Sequence, residues 1–219
     1  MNIAENIKKY RDQIPDNVDL VAISKTKPNE DLMEAYEVGQ RIFGENKIQE
    51  MTDKWEALPK DIEWHMVGHV QRNKVKYMAP YVGLIHAVDS LKLLKEINKQ
   101  AKKHDRVIRC LLQIKIAEED SKFGISAGEA EEILQSETYK TFENVAVVGL
   151  MGMATHTEND EKVAEEFDYL HSVFKDFRVK YPAIKELSMG MSGDYKIAVK
   201  HGSTMVRIGS SIFGARNYN

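Results

Sequence analysis

Eight short apolar runs, each followed by a segment with helical spacing, leave few folds open to this chain. The runs span residues 18–24, 41–46, 63–68, 83–89, 109–115, 145–154, 186–192 and 204–209. Strands that alternate with helices imply a parallel sheet with helices outside it. Eight such units in 219 residues meet the lower size limit of a (β/α)8 barrel, a TIM barrel. An open doubly wound sheet is the alternative. Its dinucleotide-binding version is weakened because no Gly-x-Gly-x-x-Gly turn follows the first run. No linker, low-complexity tract or composition shift interrupts the pattern, so the expectation is α/β, one barrel domain over residues 1–219.

The helical segments carry their own start and stop signals. Residues 1–14 place Ile3, Ile7, Tyr10 and Ile14 on one face, with an Asn2/Glu5 capping-box pattern and Pro15 at the stop. Segment 29–38 has Asn29 as its expected N-cap and Gly39 just past its end. Segments 45–57 and 70–79 follow. Segment 90–104 aligns Leu91, Leu94, Ile97 and Ala101 behind Ser90, and segment 126–137 opens on Ser126 and Glu129 as a capping box. Segment 159–180 carries the stripe Val163, Phe167, Leu170, Phe174 and Phe177, which is read as core packing. Segment 193–201 is short, and the eighth run has almost no helix after it. The helix over 1–14 is expected to cover that gap.

Charge and composition exclude some functions. Lys+Arg 31 against Asp+Glu 34 gives a net charge of −3, too balanced for a general nucleic-acid binder. No apolar run is long enough to span a membrane. The opening Asn2-Ile3-Ala4-Glu5 carries an acid early, unlike a secretory signal. Cys110 is the single cysteine, so no internal disulfide forms, which fits the reducing cytoplasm. It lies in an apolar run and reads as an inert core residue. A lone barrel with a polar exterior is expected to be a monomer.

In barrels of this class the site lies at the C-terminal ends of the strands. Lys25 stands at the end of the first run, after Val21-Ala22-Ile23-Ser24 and before a short loop closed by Pro28. Taken alone it reads as a surface lysine just past a strand. Held at the end of a buried strand, its amine would be costly as a cation, and a lowered pKa would make it a nucleophile. Ser192-Gly193 after the seventh run and Gly209-Ser210-Ser211 after the eighth occupy the loops that frequently bind phosphate in these barrels. A lysine facing a phosphate cradle suggests pyridoxal 5′-phosphate (PLP), held as a Schiff base. Arg207 is placed to face the pyridine nitrogen. A guanidinium stays protonated and would leave that nitrogen unprotonated, a weaker electron sink. Two other readings stay open: a PLP enzyme such as an amino-acid racemase, and an aldolase-like enzyme joining Lys25 to a sugar phosphate. No metal site is expected, because His65 and His69 lie at a strand end without a carboxylate or cysteine spaced to help. His65 reads as a hydrogen-bonded wall or core residue and His156 as a solvated loop residue.

Together, Ala22-Ile23-Ser24-Lys25-Thr26-Lys27-Pro28, Phe43-Gly44-Glu45-Asn46, Trp64-His65-Met66-Val67-Gly68, Gln71-x-Asn73-Lys74, Ser188-Met189-Gly190-Met191-Ser192 with Asp194, and Gly202-Ser203-Thr204-Met205-Val206-Arg207-Ile208-Gly209 with Ile212-Phe213-Gly214 resemble the pyridoxal phosphate homeostasis protein family. The resemblance runs from residue 5 to Tyr218. It implies the barrel of the alanine racemase N-terminal domain, standing alone. It makes Lys25 the Schiff-base lysine and Lys27 the second lysine of the motif. Ser192, Gly209 and Ser210 would hold the phosphate, Arg207 would face the pyridine nitrogen, and Asn46, His65 and Met151 would line the pocket. The implied role is to bind PLP, keep the free aldehyde low and supply it transiently to apo-enzymes. A barrel without the racemases' second domain lacks their opposite-face acid/base, so little or no turnover is expected. His69 departs from the family pattern, in which proline often precedes a Leu-Gln pair; here the pair is Val70-Gln71. Ser210 stands where threonine is common, and the hydroxyl is kept.

Overall fold

The computed structural model describes residues 2–117 and 123–214. The last residues of the expected domain, 215–219, and of the family resemblance, 215–218, lie outside that range. Eight strands close into a barrel in sequence order: β1 Asp19–Ile23, β2 Ile42–Glu45, β3 Glu63–Met66, β4 Leu84–Val88, β5 Ile108–Gln113, β6 Val145–Met151, β7 Glu186–Met191 and β8 Met205–Ile208. Every pairing is parallel, and β8 returns to β1 with Val21 opposite Arg207. Closure excludes the open doubly wound alternative. The sheet has no free edge, so each strand is satisfied on both sides.

The helices among the described residues are α1 Ile3–Gln13, α2 Asn29–Glu37, α3 Ile48–Ala57, α4 Val75–Met78, α5 Leu91–Lys102, α6 Ala127–Gln135, α7 Glu137–Lys140, α8 Asp160–Lys180, α9 Tyr195–Lys200 and α10 Ser210–Phe213. Their apolar faces and the outward side chains of the strands form the main core. Val163, Phe167, Leu170, Phe174 and Phe177 of α8 are all buried in it. A smaller cluster fills the barrel interior: Val21, Leu84, Ala87, Leu111, Met151 and Met205. Cys110 is fully buried in the outer core, and burial pushes its thiol well above the ordinary range.

Helix α1 covers the β8 side as its pattern predicts. Asn6 Nδ2 donates to Ile212 O at 3.0 Å and Tyr195 Oη donates to Gln13 Oε1 at 2.6 Å. The Tyr10 ring meets Tyr195 edge-on, and Ala4 N donates to Glu34 of α2. α1 thus bridges α2, α9 and the single-turn α10.

Several boundaries differ from expectation, each for a local reason. Pro28, not Asn29, is the N-cap of α2, with ψ 162; its fixed φ suits the extended cap, and Asn29 becomes the first helical residue. Gly39 does take a positive φ of +90. Segment 45–57 begins helix only at Ile48, because Glu45 still pairs in the sheet opposite Met66. Segment 70–79 splits into a 3-10 turn, Arg72–Lys74, and the short α4, which stops at Pro80 because proline has no N–H to continue the helix. Segment 126–137 breaks at Ser136, whose Oγ caps a second helix by accepting from Tyr139 N. The Ser126–Glu129 capping box forms as read.

Candidate functional site

Lys25 sits in a turn just past β1. Lys27 N donates to Ser24 O at 3.1 Å, which puts Lys25 and Thr26 at the corners. Thr26 has φ +63, a left-handed conformation that costs a side-chain-bearing residue about 1–3 kcal/mol. Such a turn persists only where its surroundings hold it, and here they do. Lys54 Nζ, from α3, donates to Ser24 O at 2.7 Å, to Glu45 Oε1 at 2.7 Å and to Glu50 Oε1 at 2.8 Å. Ser24 Oγ donates to Glu45 Oε1 at 2.7 Å, and Thr26 N donates to Glu50 Oε1 at 2.6 Å. The Lys54 and Glu45 side chains are 6% and 0% exposed. Burial pushes the Glu45 carboxyl up to about 7, against the pull of Lys54. Lys25 itself is half-buried beside this clamp.

The loops after β7 and β8 meet at the same end of the barrel. Gly209 N donates to Ser192 Oγ at 3.3 Å. A Cβ on Gly209 would lie 3.2 Å from Ile23 Cβ and from Ile23 O, so the end of β8 packs tightly against the strand that leads into the Lys25 turn. Gly190 has φ +96, and a Cβ there would lie 2.5 Å from Ala198 Cβ; only glycine lets β7 turn into α9. Asp194 Oδ1 accepts from Met191 N and closes that turn. Ser192 is half-buried, and Ser210 is exposed as the first residue of α10.

Arg207 points into the barrel and is 5% exposed. Its Nη1 donates to Ser188 Oγ at 2.6 Å and its Nη2 to Gly152 O at 3.0 Å. These two bonds leave three guanidinium N–H groups, Nε–H among them, for further acceptors. Burial pulls its pKa down to about 10, against Asp194, so the guanidinium is still charged at neutral pH.

The other expected lining residues fall in two groups. Met151 and His65 are buried in the interior with Arg207. Asn46 is exposed at the end of β2, where a Cβ on Gly68 would lie 2.4 Å from Asn46 O; that close approach explains the glycine in the His65–Gly68 motif. His65 bonds to His86 and Glu63. His69, the departure from the family pattern, stacks on the Phe123 ring at 4.5 Å and lies 3.7 Å from Asp89. Among the described residues no three His, Cys, Asp or Glu side chains are grouped to hold a metal.

Sequence reading missed six participants: Glu45, Glu50 and Lys54 as a clamp, and Ser188, His86 and Glu63 as interior polar partners. Two signals were available. Lys54 interrupts the buried face formed by Ile48 and Met51 of α3 and Leu58 at its C-cap, where a charge demands a partner. His86 lies inside a strand that is buried throughout.

The alanine racemase N-terminal domain family model matches residues 1–217. A curated pyridoxal phosphate homeostasis protein from Vibrio alginolyticus is 36% identical, with 100% of this chain and 99% of the relative aligned. PipY of Synechococcus elongatus, solved with PLP bound, is 32% identical with a TM-score of 0.87 over 97% of this chain and 100% of that one. Alanine racemase from E. faecalis shares the fold, with a TM-score of 0.72 at 15% identity; 99% of this chain aligns to 58% of that one.

Proposed function

The chain belongs with the pyridoxal phosphate homeostasis proteins in the alanine racemase N-terminal domain family, and from that premise we propose that it binds PLP as a Schiff base on Lys25. The observation that carries this reading is the convergence of the Lys25 turn, the Ser192–Gly209 contact and the buried Arg207 at one end of the barrel. That donor set fits the group: an amine for an aldehyde, small residues and backbone N–H for a phosphate, and a guanidinium N–H for a pyridine nitrogen. When bound, PLP supplies an aldehyde that a lysine condenses with and a ring that draws electrons.

Each residue then has a task. The clamp of Lys54, Glu45 and Glu50 fixes the turn that presents the Lys25 amine. Ser192, Gly209 and Ser210 hold the phosphate. Arg207 donates a hydrogen bond to the pyridine nitrogen without giving up its proton. Asn46, His65 and Met151 line the pocket. A ring nitrogen left unprotonated draws electrons weakly, which favours holding the cofactor over catalysis. The function is therefore homeostasis: a single barrel domain, acting as a monomer in the cytoplasm, that keeps the aldehyde sequestered and passes it transiently to apo-enzymes. No helix among the described residues is long and apolar enough to cross a membrane.

Titrating the apo-protein with PLP tests the reading. A visible absorption band saturating at one PLP per chain is expected, and pyridoxal, which lacks the phosphate, should bind more than about tenfold more weakly, a loss above 1.4 kcal/mol. Equal affinity for the two would contradict the phosphate cradle. Incubating the loaded protein with L-alanine in deuterium oxide should leave the α-proton in place. Robust exchange would make the protein a racemase-like enzyme instead.

A further inference from the structure

Arg207 leads from the mouth of the barrel into a file of polar side chains that includes His65 of the pocket lining and continues past it. Arg207 Nη1 donates to Ser188 Oγ at 2.6 Å. Ser188 Oγ is 2.9 Å from His86 Nδ1, His86 Nε2 is 3.0 Å from His65 Nδ1, and His65 Nε2 is 3.0 Å from Glu63 Oε1. The file crosses the interior from β8 and β7 to β4 and β3, and ends at the first residue of β3. There the Glu63 side chain is 40% exposed, and Arg109 lies 3.5 Å from it and 3.6 Å from Glu186. The middle of the file is dry: Ser188 and His86 are 0% exposed and His65 is 1%.

Donor and acceptor chemistry fixes the direction of this file. A guanidinium has donors only, so the Ser188 oxygen accepts from it and its one proton is left for His86 Nδ1. His86 must then carry its proton on Nε2 and donate to His65 Nδ1. His65 in turn carries its proton on Nε2 and donates to Glu63. A carboxylate has acceptors only, so the file ends with every donor matched and both rings neutral. The reverse direction needs a protonated Glu63 and another partner for the Ser188 hydroxyl proton. Burial, followed by the neighbouring cations Arg207 and Arg109, holds His86 well below the ordinary histidine range. The His65 hydrogen bond holds Glu63 below the usual carboxylate range, though burial opposes it. Both directions of shift agree with the first arrangement.

We propose that Glu63, His65, His86 and Ser188 are positioning residues, a polarised relay through which a carboxylate at the N-terminal mouth of the barrel orients Arg207 at the C-terminal mouth. Arg207 is bonded only to neutral oxygens among the described residues, Ser188 Oγ and Gly152 O. A buried cation gains from counter-charge: Asp194 acts on it from the C-terminal side, and the relay links it to a second carboxylate across the barrel. Hydrogen bonds in such a dry file polarise one another, so loss at one end weakens the other. The proposal rests on the reading that Arg207 faces the pyridine nitrogen.

Two measurements test it, one without cofactor. Nitrogen-15 NMR of the histidine rings in the apo-protein at neutral pH should show both His65 and His86 neutral and protonated on Nε2. Either ring protonated on Nδ1 overturns the relay. The second measurement is PLP affinity in a double-mutant cycle. Ser188→Ala should weaken PLP about tenfold and Glu63→Gln about threefold, in line with one hydrogen bond each. The double variant should lose about tenfold, no more than Ser188→Ala, because both changes break one chain. A multiplied loss of about thirtyfold would mean two independent structural effects and would overturn the proposal. Ser188→Thr, which keeps the hydroxyl, should retain wild-type affinity, and a tenfold loss there would also count against the relay. A wild-type protein that binds no PLP would sink the functional reading instead, and the apo-protein NMR would then decide the relay alone.

Discussion

Lys54→Met is expected to destabilise the protein by about 3–5 kcal/mol, the usual result of removing one partner from a buried ion pair. At this chain length that is a fall in melting temperature of roughly 10 °C. Methionine keeps the length and apolar stem of lysine, so packing of α3 against the barrel is preserved and the loss reports the charge. What remains is Glu45, fully buried, with Oε2 lacking any hydrogen-bond partner among the described residues. Burial already pushes that carboxyl up to about 7, with Lys54 as the leading influence in the other direction. Without Lys54 it rises further. An acid whose folded pKa lies above its unfolded value stabilises the fold at low pH and loses that contribution as pH rises through the folded value. The defect in Lys54→Met is therefore expected to be larger at about pH 8 than at about pH 5. Denaturant unfolding at the two pH values checks this. A defect that grows toward low pH would place the strain elsewhere. The variant should also hold PLP less well, because Ser24 O loses the ammonium that pins the Lys25 turn.

Lys25→Ala should have the opposite profile: a stable fold with the cofactor's covalent hold removed. Lys25 is half-buried in a turn and bears none of the core, so the unfolding free energy should stay within about 0.5 kcal/mol of wild type. The visible band of the PLP-loaded protein should vanish, because its amine is gone. Residual affinity should come from the phosphate loops and Arg207 alone, more than about tenfold below wild type, that is, by over 1.4 kcal/mol. A band that persists in Lys25→Ala would assign the Schiff base to another lysine. Taken together, Lys54→Met and Lys25→Ala separate the residue that builds the site from the residue that reacts in it.

The fold was legible because its signals are local. The stripe Val163–Phe177 repeats every three or four residues along α8, and each strand is a short apolar run between turns. Lys25, Ser192, Arg207 and Gly209 share one end of the barrel because barrel geometry sends all strand ends to one face. What escaped was pairing across the barrel. His86 and Ser188 are 102 residues apart, and neither forms a recognisable spacing with Arg207. Lys54 was hidden differently. It lies on the buried face of a helix whose pattern accommodates a lysine stem, and its partner Glu45 falls in both the run 41–46 and the segment 45–57, because the strand end and helix start are only three residues apart. Helix starts failed where a residue with capping chemistry had a competitor, as Asn29 had in Pro28.

Chemical trapping tests most directly whether PLP is held on Lys25. The protein loaded with PLP is reduced with borohydride, digested, and its peptides are mapped by mass spectrometry. A phosphopyridoxyl group on Lys25 is expected in the wild-type protein. An adduct on Lys27 or Lys54 with Lys25 unmodified, or no adduct at all, would contradict it.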